Sequence, residues 1–288
     1  MNTTNQSELQ HVQLFESDIP GLIALSESVG WDYAEEEIRT VLYSGQIFGH
    51  KNEEGAIVSS AAILPYEGQL ASIGMVIVHE SYRGLGLGRK ATEACMQSLP
   101  EGTTSMLIAT HEGIPLYRKM GFKEVDHVHK FICNRFVSKP LDLEGFQIRA
   151  FRDEDINQII LLDVHAFGHS RETFLKRRIQ QSKDCLVVID REESVIGFGL
   201  SIPGPVNLIL GPIVAPDSHL AACLIHQLAA NHDGKLRIDV PSGQEPFMNT
   251  IWKWGFEEVK QPPVMIHNGD LMPPRNGTLF GIAAQIFG

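Results

Sequence analysis

The chain of 288 residues has few cysteines, no long apolar run and no excess of basic charge. Its four cysteines, Cys95, Cys133, Cys185 and Cys223, lie far apart, without CxxC spacing or a histidine cluster beside them. That pattern speaks against a metal site and a disulfide framework. Apolar neighbours, as in Asp184-Cys-Leu-Val-Val188, mark them as buried, reduced thiols of a cytoplasmic protein. No apolar stretch reaches the ~18 residues of a membrane span, and the polar first eight residues do not read as a signal peptide. The net charge is −11, with 24 basic against 35 acidic residues. Both halves share the acidic balance, so neither offers the clustered basic face that a nucleic acid needs. An acidic surface serves solubility and also tolerates a cationic partner such as an amine.

What is present is a regular alternation of strand and helix patterns. Residues 12–17 read as a strand and 18–28 as a helix with Ile19, Leu22, Ile23 and Leu25 on one side. Asp32 and Glu35 have capping-box spacing ahead of a second helix, whose Glu36 and Glu37 read as a solvated face. Strands are predicted at 48–50, 56–64 and 71–78, the latter two separated by Glu67-Gly68. A helix at 84–99, a strand at 105–109, a short helix at 114–120 and a strand at 128–136 follow. Residues 138–145 have linker composition. The same order of elements then restarts, with strands at 186–190, 195–201 and 207–214, a helix at 219–231, a strand at 235–240 and a helix at 247–254. The segment 279–287 reads as a last strand or short helix. Lys119-Met-Gly-Phe-Lys-Glu-Val125 and Lys253-Trp-Gly-Phe-Glu-Glu-Val259 anchor this internal repeat. Two α/β domains of similar fold are expected, 1–137 and 146–288.

The chemistry is concentrated at Val76-Ile-Val78, a strand that leads into Arg83-Gly84-Leu85-Gly86-Leu87-Gly88-Arg89. Alternate glycines clear side chains from the backbone where a helix begins. Free amides and the helix dipole favour an anion there, such as a phosphate. Arg83, Arg89 and Lys90 add positive charge. The spacing is neither the dinucleotide fingerprint nor a Walker loop.

Arg83 to Gly88 resembles the acetyl-CoA signature of the GNAT superfamily of N-acetyltransferases: Arg or Gln, two residues, Gly, one residue, Gly or Ala. Gly113-Ile-Pro-Leu-Tyr-Arg-Lys-Met-Gly-Phe-Lys-Glu-Val125 resembles that family's second motif. The resemblance implies tandem GNAT-like domains, each a mixed, mostly antiparallel sheet flanked by helices. It also implies that Val76 and Val78, with Ile77 between them, hold the pantetheine arm and thioester carbonyl through backbone amides. The loop 83–89 would hold the pyrophosphate, and Tyr117 would protonate the departing thiolate. A phenol, with a pKa of ~10 against ~8.5 for a thiol, holds a proton near neutral pH; a tyrosine before Gly-Phe on a short helix can also be a core residue, and the two motifs together favour the catalytic role. Trp31 lies where the family covers its acceptor site, and it lines that site or fills the core. His79 and His111 are candidate bases. No base is identified, and no metal is implied.

The implied reaction moves acetyl from acetyl-CoA to a primary amine by direct attack, since no cysteine sits in the motifs. A non-catalytic acyl-CoA sensor is the alternative. In the second repeat Leu220, Ala221, Cys223 and Ile225 align with Arg83, Gly84, Gly86 and Gly88, and Ile251 with Tyr117. That half is expected not to bind acetyl-CoA. Arg171, Arg177 and Arg178 read as a helix face or a partner contact. The chain is expected to be a monomer or homodimer.

Overall fold

The computed structural model describes residues 9–67 and 69–288. The polar start read over residues 1–8, and Gly68 of the predicted break, lie outside them. The first half runs β1 (Gln10–Leu14), α1 (Ile19–Glu27), α2 (Glu35–Ser44), β2 (Gln46–Lys51), β3 (Ile57–Tyr66), β4 (Leu70–Val78), α3 (Leu87–Gln97), β5 (Thr104–Ile108), α4 (Ile114–Lys119) and β6 (Lys123–Cys133). The second runs β7 (Gln147–Ala150), α5 (Ile156–Phe167), α6 (Glu172–Gln181), β8 (Asp184–Ile189), β9 (Val195–Pro203), β10 (Asn207–Val214), α7 (Ser218–Ala229), β11 (Lys235–Pro241), α8 (Glu245–Lys253), β12 (Phe256–Lys260), β13 (Pro263–His267) and β14 (Leu279–Gly281). Each half is a mixed, mostly antiparallel sheet with helices against it, as the family resemblance implies.

The halves trade strands. β13 of the second half inserts between β5 and β6 of the first. In return, the far end of β6, from Val128 to Cys133, lies between β11 and β12. Pairing therefore links all fourteen strands. Sequence patterning misses β12 and β13 for clear reasons. Four of the five β12 residues are exposed and three of those are charged, and β13 opens on Pro263, just after Pro262. β6 also begins five residues ahead of its predicted start, because its charged first stretch pairs with β13 rather than with its own neighbours.

Other boundaries move for local reasons. β1 stops at Leu14 because Phe15 N–H donates to Asp18 Oδ2 at 2.9 Å, which starts a turn. The predicted capping box is corrected: the α2 cap is Ala34, with no side-chain bond, and Glu35 instead pairs with Arg39 one turn on. Glu36 and Glu37 are not simply a solvated face. They reach Arg177 and Arg178 of α6, joining the halves.

One core spans the seam. Leu22, Ile38, Met75 and Ile77 of the first half share a cluster with Phe167, Phe174, Ile286 and Phe287 of the second. The segment after β14 crosses the first-half sheet, where Tyr66 donates to Phe287 O and Ser72 to Ile286 O, both at 2.7 Å. Gly74 permits this approach, since a Cβ there would stand 2.5 Å from Ile286 Cγ1. Arg171 fixes the segment. Its guanidinium is fully buried, donates to Asp163 at 2.8 and 2.9 Å, and reaches the carbonyls of Phe287 and Gly288 at 3.2 Å. Arg178 donates to Ala283 O at 2.9 Å. The arginines read as a helix face or partner contact are thus the clamp between the halves.

Removing one member of a buried, bidentate pair strands the other. Arg171→Met is expected to cost about 3 kcal/mol or more in urea denaturation, with both halves still unfolding in one transition. Two separate transitions in the wild type would contradict the shared core.

Candidate active site

The site begins where β4 leaves β5. The two strands pair in parallel from Leu70↔Thr104 to Ile73↔Leu107, and β4 then continues to Val78 without β5 beside it. A bulge makes the turn. Met75 has φ 48°, and Met75 and Val76 together face Ala61, since Ser60 pairs with Ile77 and Ala62 with Gly74. Ser60 Oγ donates to Met75 O at 2.7 Å, which satisfies the carbonyl that the bulge displaces. Two-residue bulges of this kind re-aim the strand that carries them.

Beyond the bulge, His79 N–H donates to Val58 O at 2.9 Å. Amides alternate sides along a strand, so Ile77 also faces β3, whereas the amides of Val76 and Val78 face the gap. Val76 and Val78 are half-buried there, while Ile77 is buried on the opposite face.

The loop then climbs to α3. Gly84 and Gly86 hold φ values of +83° and +75°, and a Cβ on either would meet nothing within 4 Å. These left-handed residues keep the loop out of the helix, which starts at Leu87 rather than at the predicted Gly84. The first helical bond, Lys90 N–H to Gly86 O, is 3.0 Å. The amides of Leu87, Gly88 and Arg89 lie ahead of it, with no partner within the helix. Gly88 closes the approach to the gap: a Cβ there would lie 3.3 Å from Val78, 3.7 Å from Leu116 and 3.9 Å from Val76. Loop, parted strand and α4 therefore converge on one place. The charge is milder than the sequence suggests, because Arg83 stands 3.8 Å from Glu80 and Arg89 2.7 Å from Glu93.

Tyr117 follows Leu116 on α4, against Gly113 and edge-on to Phe122. Burial, with the nearby Cys95, pushes its phenol well above the ordinary value. Among the described residues its hydroxyl has no hydrogen-bond partner, and it is not among the sealed polar atoms. The remaining candidates scatter. Trp31 packs beside Tyr33, 6.2 Å between ring centroids, in the turn between α1 and α2 and against the seam core. His79 accepts from Ser81 N–H at 3.3 Å and lines a cavity of about 420 Å³ beneath α1. His111 is exposed on the turn before α4, apart from both. Sequence reasoning passed over Met75 and Ser60; the polar Ser59-Ser60 pair inside an apolar strand is the signal that marks them.

The second half shows the same plan closed. β10 and β11 pair in parallel only from Asn207↔Lys235 to Ile209↔Arg237. Where they part, β14 pairs with β10, and a Cβ on Gly281 would lie 3.1 Å from Ile213 and 3.2 Å from Ile238. The start of α7 is capped internally, since Asp217 accepts from Leu220 N–H at 2.9 Å. Leu220, Ala221, Cys223 and Ile225 are buried, as is Ile251.

In the first half the parted strand, the glycine loop and the start of α3, which has no side-chain cap, meet at one place, whereas in the second half that place is filled. Residues 44–124 and 159–281 each match the family model of the acetyltransferase (GNAT) domain. The chain is 37% identical over 280 residues to an uncharacterized N-acetyltransferase, YitH, of Bacillus subtilis, covering 96% of this chain and 98% of that protein. A proposed acetyltransferase from Pyrococcus horikoshii has the same fold with a TM-score of 0.79 at 18% identity, over 100% and 99% of the two chains. A tandem GNAT protein from the clavulanic acid pathway matches with a TM-score of 0.66 at 15% identity, over 91% and 99%. The chain belongs to the GNAT acetyltransferases, is an acetyl-transferring enzyme, and carries the GNAT domain in tandem. Among the described residues no helix is long and apolar enough to cross a membrane.

Because the Tyr117 hydroxyl makes no hydrogen bond among the described residues, Tyr117→Phe should leave the urea midpoint nearly unchanged, within about 0.5 kcal/mol. A larger loss would show that the hydroxyl holds the fold.

Proposed function

We propose that this protein transfers acetyl from acetyl-CoA to the primary amine of a small molecule by direct attack, using the first half alone for the cofactor. The observation that carries this reading is the unfilled gap after Ile73, with the Val76 and Val78 amides facing it. The open Cβ positions of Gly84 and Gly86 and the close approach at Gly88 fit the group. Arg83, Gly84, Leu85, Gly86, Leu87, Gly88 and Arg89 would surround the pyrophosphate, and Val76 to Val78 the arm and thioester.

Acetyl-CoA supplies an activated acetyl group and a thiolate leaving group. The gap-facing amides stabilise the carbonyl oxygen as it gains negative charge during attack by the neutral amine; preorganised donors of this kind are worth several kcal/mol. As the C–S bond breaks, Tyr117 gives its proton to the sulfur, and the proton lost by the new amide restores the phenol through solvent. Enclosure raises the phenol, and it raises the proton affinity of the thiolate in the same way. Trp31 and His79 would flank the acceptor, on the α1 side of the sheet. His111, out on the far turn, is the weakest member of that set. The closed gap and self-capped helix support the second half as a structural partner without acetyl-CoA.

Acetyl-CoA should raise the melting temperature of the wild type, and Gly86→Glu, which sets a carboxylate against the pyrophosphate at a left-handed position, should abolish that rise. Tyr117→Phe should keep the rise and lose about a hundredfold in kcat with an amine acceptor. A wild type indifferent to acetyl-CoA would end this reading.

A further inference from the structure

The α1 side of the sheet carries a polar cluster that the fold does not explain. Lys130 of β6 stands directly across from Asp239 of β11, yet the two form no ion pair. Asp239 is fully committed elsewhere: Arg237 Nε donates to Oδ2 and Gln285 Nε2 to Oδ1, both at 2.9 Å. Asp239 is 1% exposed, so nothing else reaches it. Lys130 is left half-enclosed, with Arg237 pushing against its charge. Burial first, then Arg237, lower its pKa; Asp239 and Asp32 pull the other way. Tyr33, from the turn between α1 and α2, packs on the seam core beside Trp31; burial and then Glu37 raise its phenol, and Arg237 opposes them. Among the described residues neither the Lys130 ammonium nor the Tyr33 hydroxyl has a hydrogen-bond partner, and neither is among the sealed polar atoms. Both still reach solvent. An enclosed ammonium that forms no ion pair is unfavourable for the fold, and an anion from outside would relieve it.

The cluster lies where an acceptor must come. The cofactor loop and α3 occupy one face of the gap, so a nucleophile reaches the thioester from the other. On that face Val128 shares the core of Met75 and Ile77. Backbone bonds step from the gap to it: Ala109 N–H to Pro263 O and Val128 N–H to Pro262 O, both 3.0 Å. By the period of two, Lys130 follows Val128 on the same face. Trp31 and Tyr33 overhang from the first half, while Arg237 and Asp239 come from the second.

We propose that the acceptor bears an anionic group, a carboxylate or a phosphate, together with its amine, and that Lys130 and Tyr33 receive this group at the seam of the two halves. Lys130 then selects the substrate, and Arg237 is a positioning residue that occupies Asp239 and so keeps the ammonium available. This rests on acyl transfer through the first-half gap. It also gives the second half a part in substrate choice.

Matched acceptor pairs test it: phenylalanine against phenethylamine, leucine against isoamylamine, and glucosamine 6-phosphate against glucosamine. Two readouts are taken, the melting temperature with CoA present and thiol release from acetyl-CoA. The wild type should favour the anionic member of at least one pair by about tenfold or more in kcat/KM, the gain of one charged hydrogen bond. The amino-acid and sugar-phosphate arms separate carboxylate from phosphate. Lys130→Met should erase the preference through KM, and Lys130→Arg should restore most of it. Preference for the uncharged member in every pair, or a preference that survives Lys130→Met, overturns the proposal. Absence of thiol release with every amine counts against the transfer reading instead. The melting shift from the anionic members, and its loss in Lys130→Met, then decides the anion site independently.

Discussion

The proposed site depends on β4 parting from β5 after Ile73. A parallel pair held to its end would spend the Val76 and Val78 amides on a ladder. The bulge at Met75 prevents that by giving one strand an extra residue, and the Ser60 hydroxyl satisfies the displaced carbonyl. The cost is a left-handed φ at a non-glycine residue, 48° at Met75, a conformation that persists only when its surroundings hold it in place. Here the surroundings are the buried Met75 side chain and the segment packed over Gly74.

The second half makes the opposite use of the same geometry. Its gap between β10 and β11 receives β14, so amides that could meet a ligand meet the chain instead. The residues after β14 then continue into the first half, where they cover Gly74 and are clamped by Arg171 and Arg178. One stretch of chain thus closes the second site and supports the first. Together with the traded strands β6 and β13, this joins the two halves through one linked sheet and a shared core.

Local signals were legible in the sequence, and long-range ones were not. Hydrophobic periodicity finds most helices and strands, and the glycine alternation at Gly84, Gly86 and Gly88 finds the loop, because these are properties of neighbouring residues. The absence of glycines at Leu220 to Ile225 likewise points to a changed second half. The strand exchange leaves no local trace: β12 is charged and β13 opens on a proline, and each is a strand only because β6 lies alongside. The same holds for Arg171 and Arg178, whose burial depends on a segment more than a hundred residues away. Asp32 has the right spacing for a cap, but α2 begins at Glu35, and the aspartate faces Arg237 and Lys130 across the seam instead. Met75 has no signature of its own, since a bulge is a feature of a pair of strands.

The central claim is that the open gap of the first half is a cofactor site and the filled gap of the second is not. Calorimetric titration with acetyl-CoA measures this directly. The expected result is one molecule bound per chain. Two molecules per chain, or none, would contradict the account.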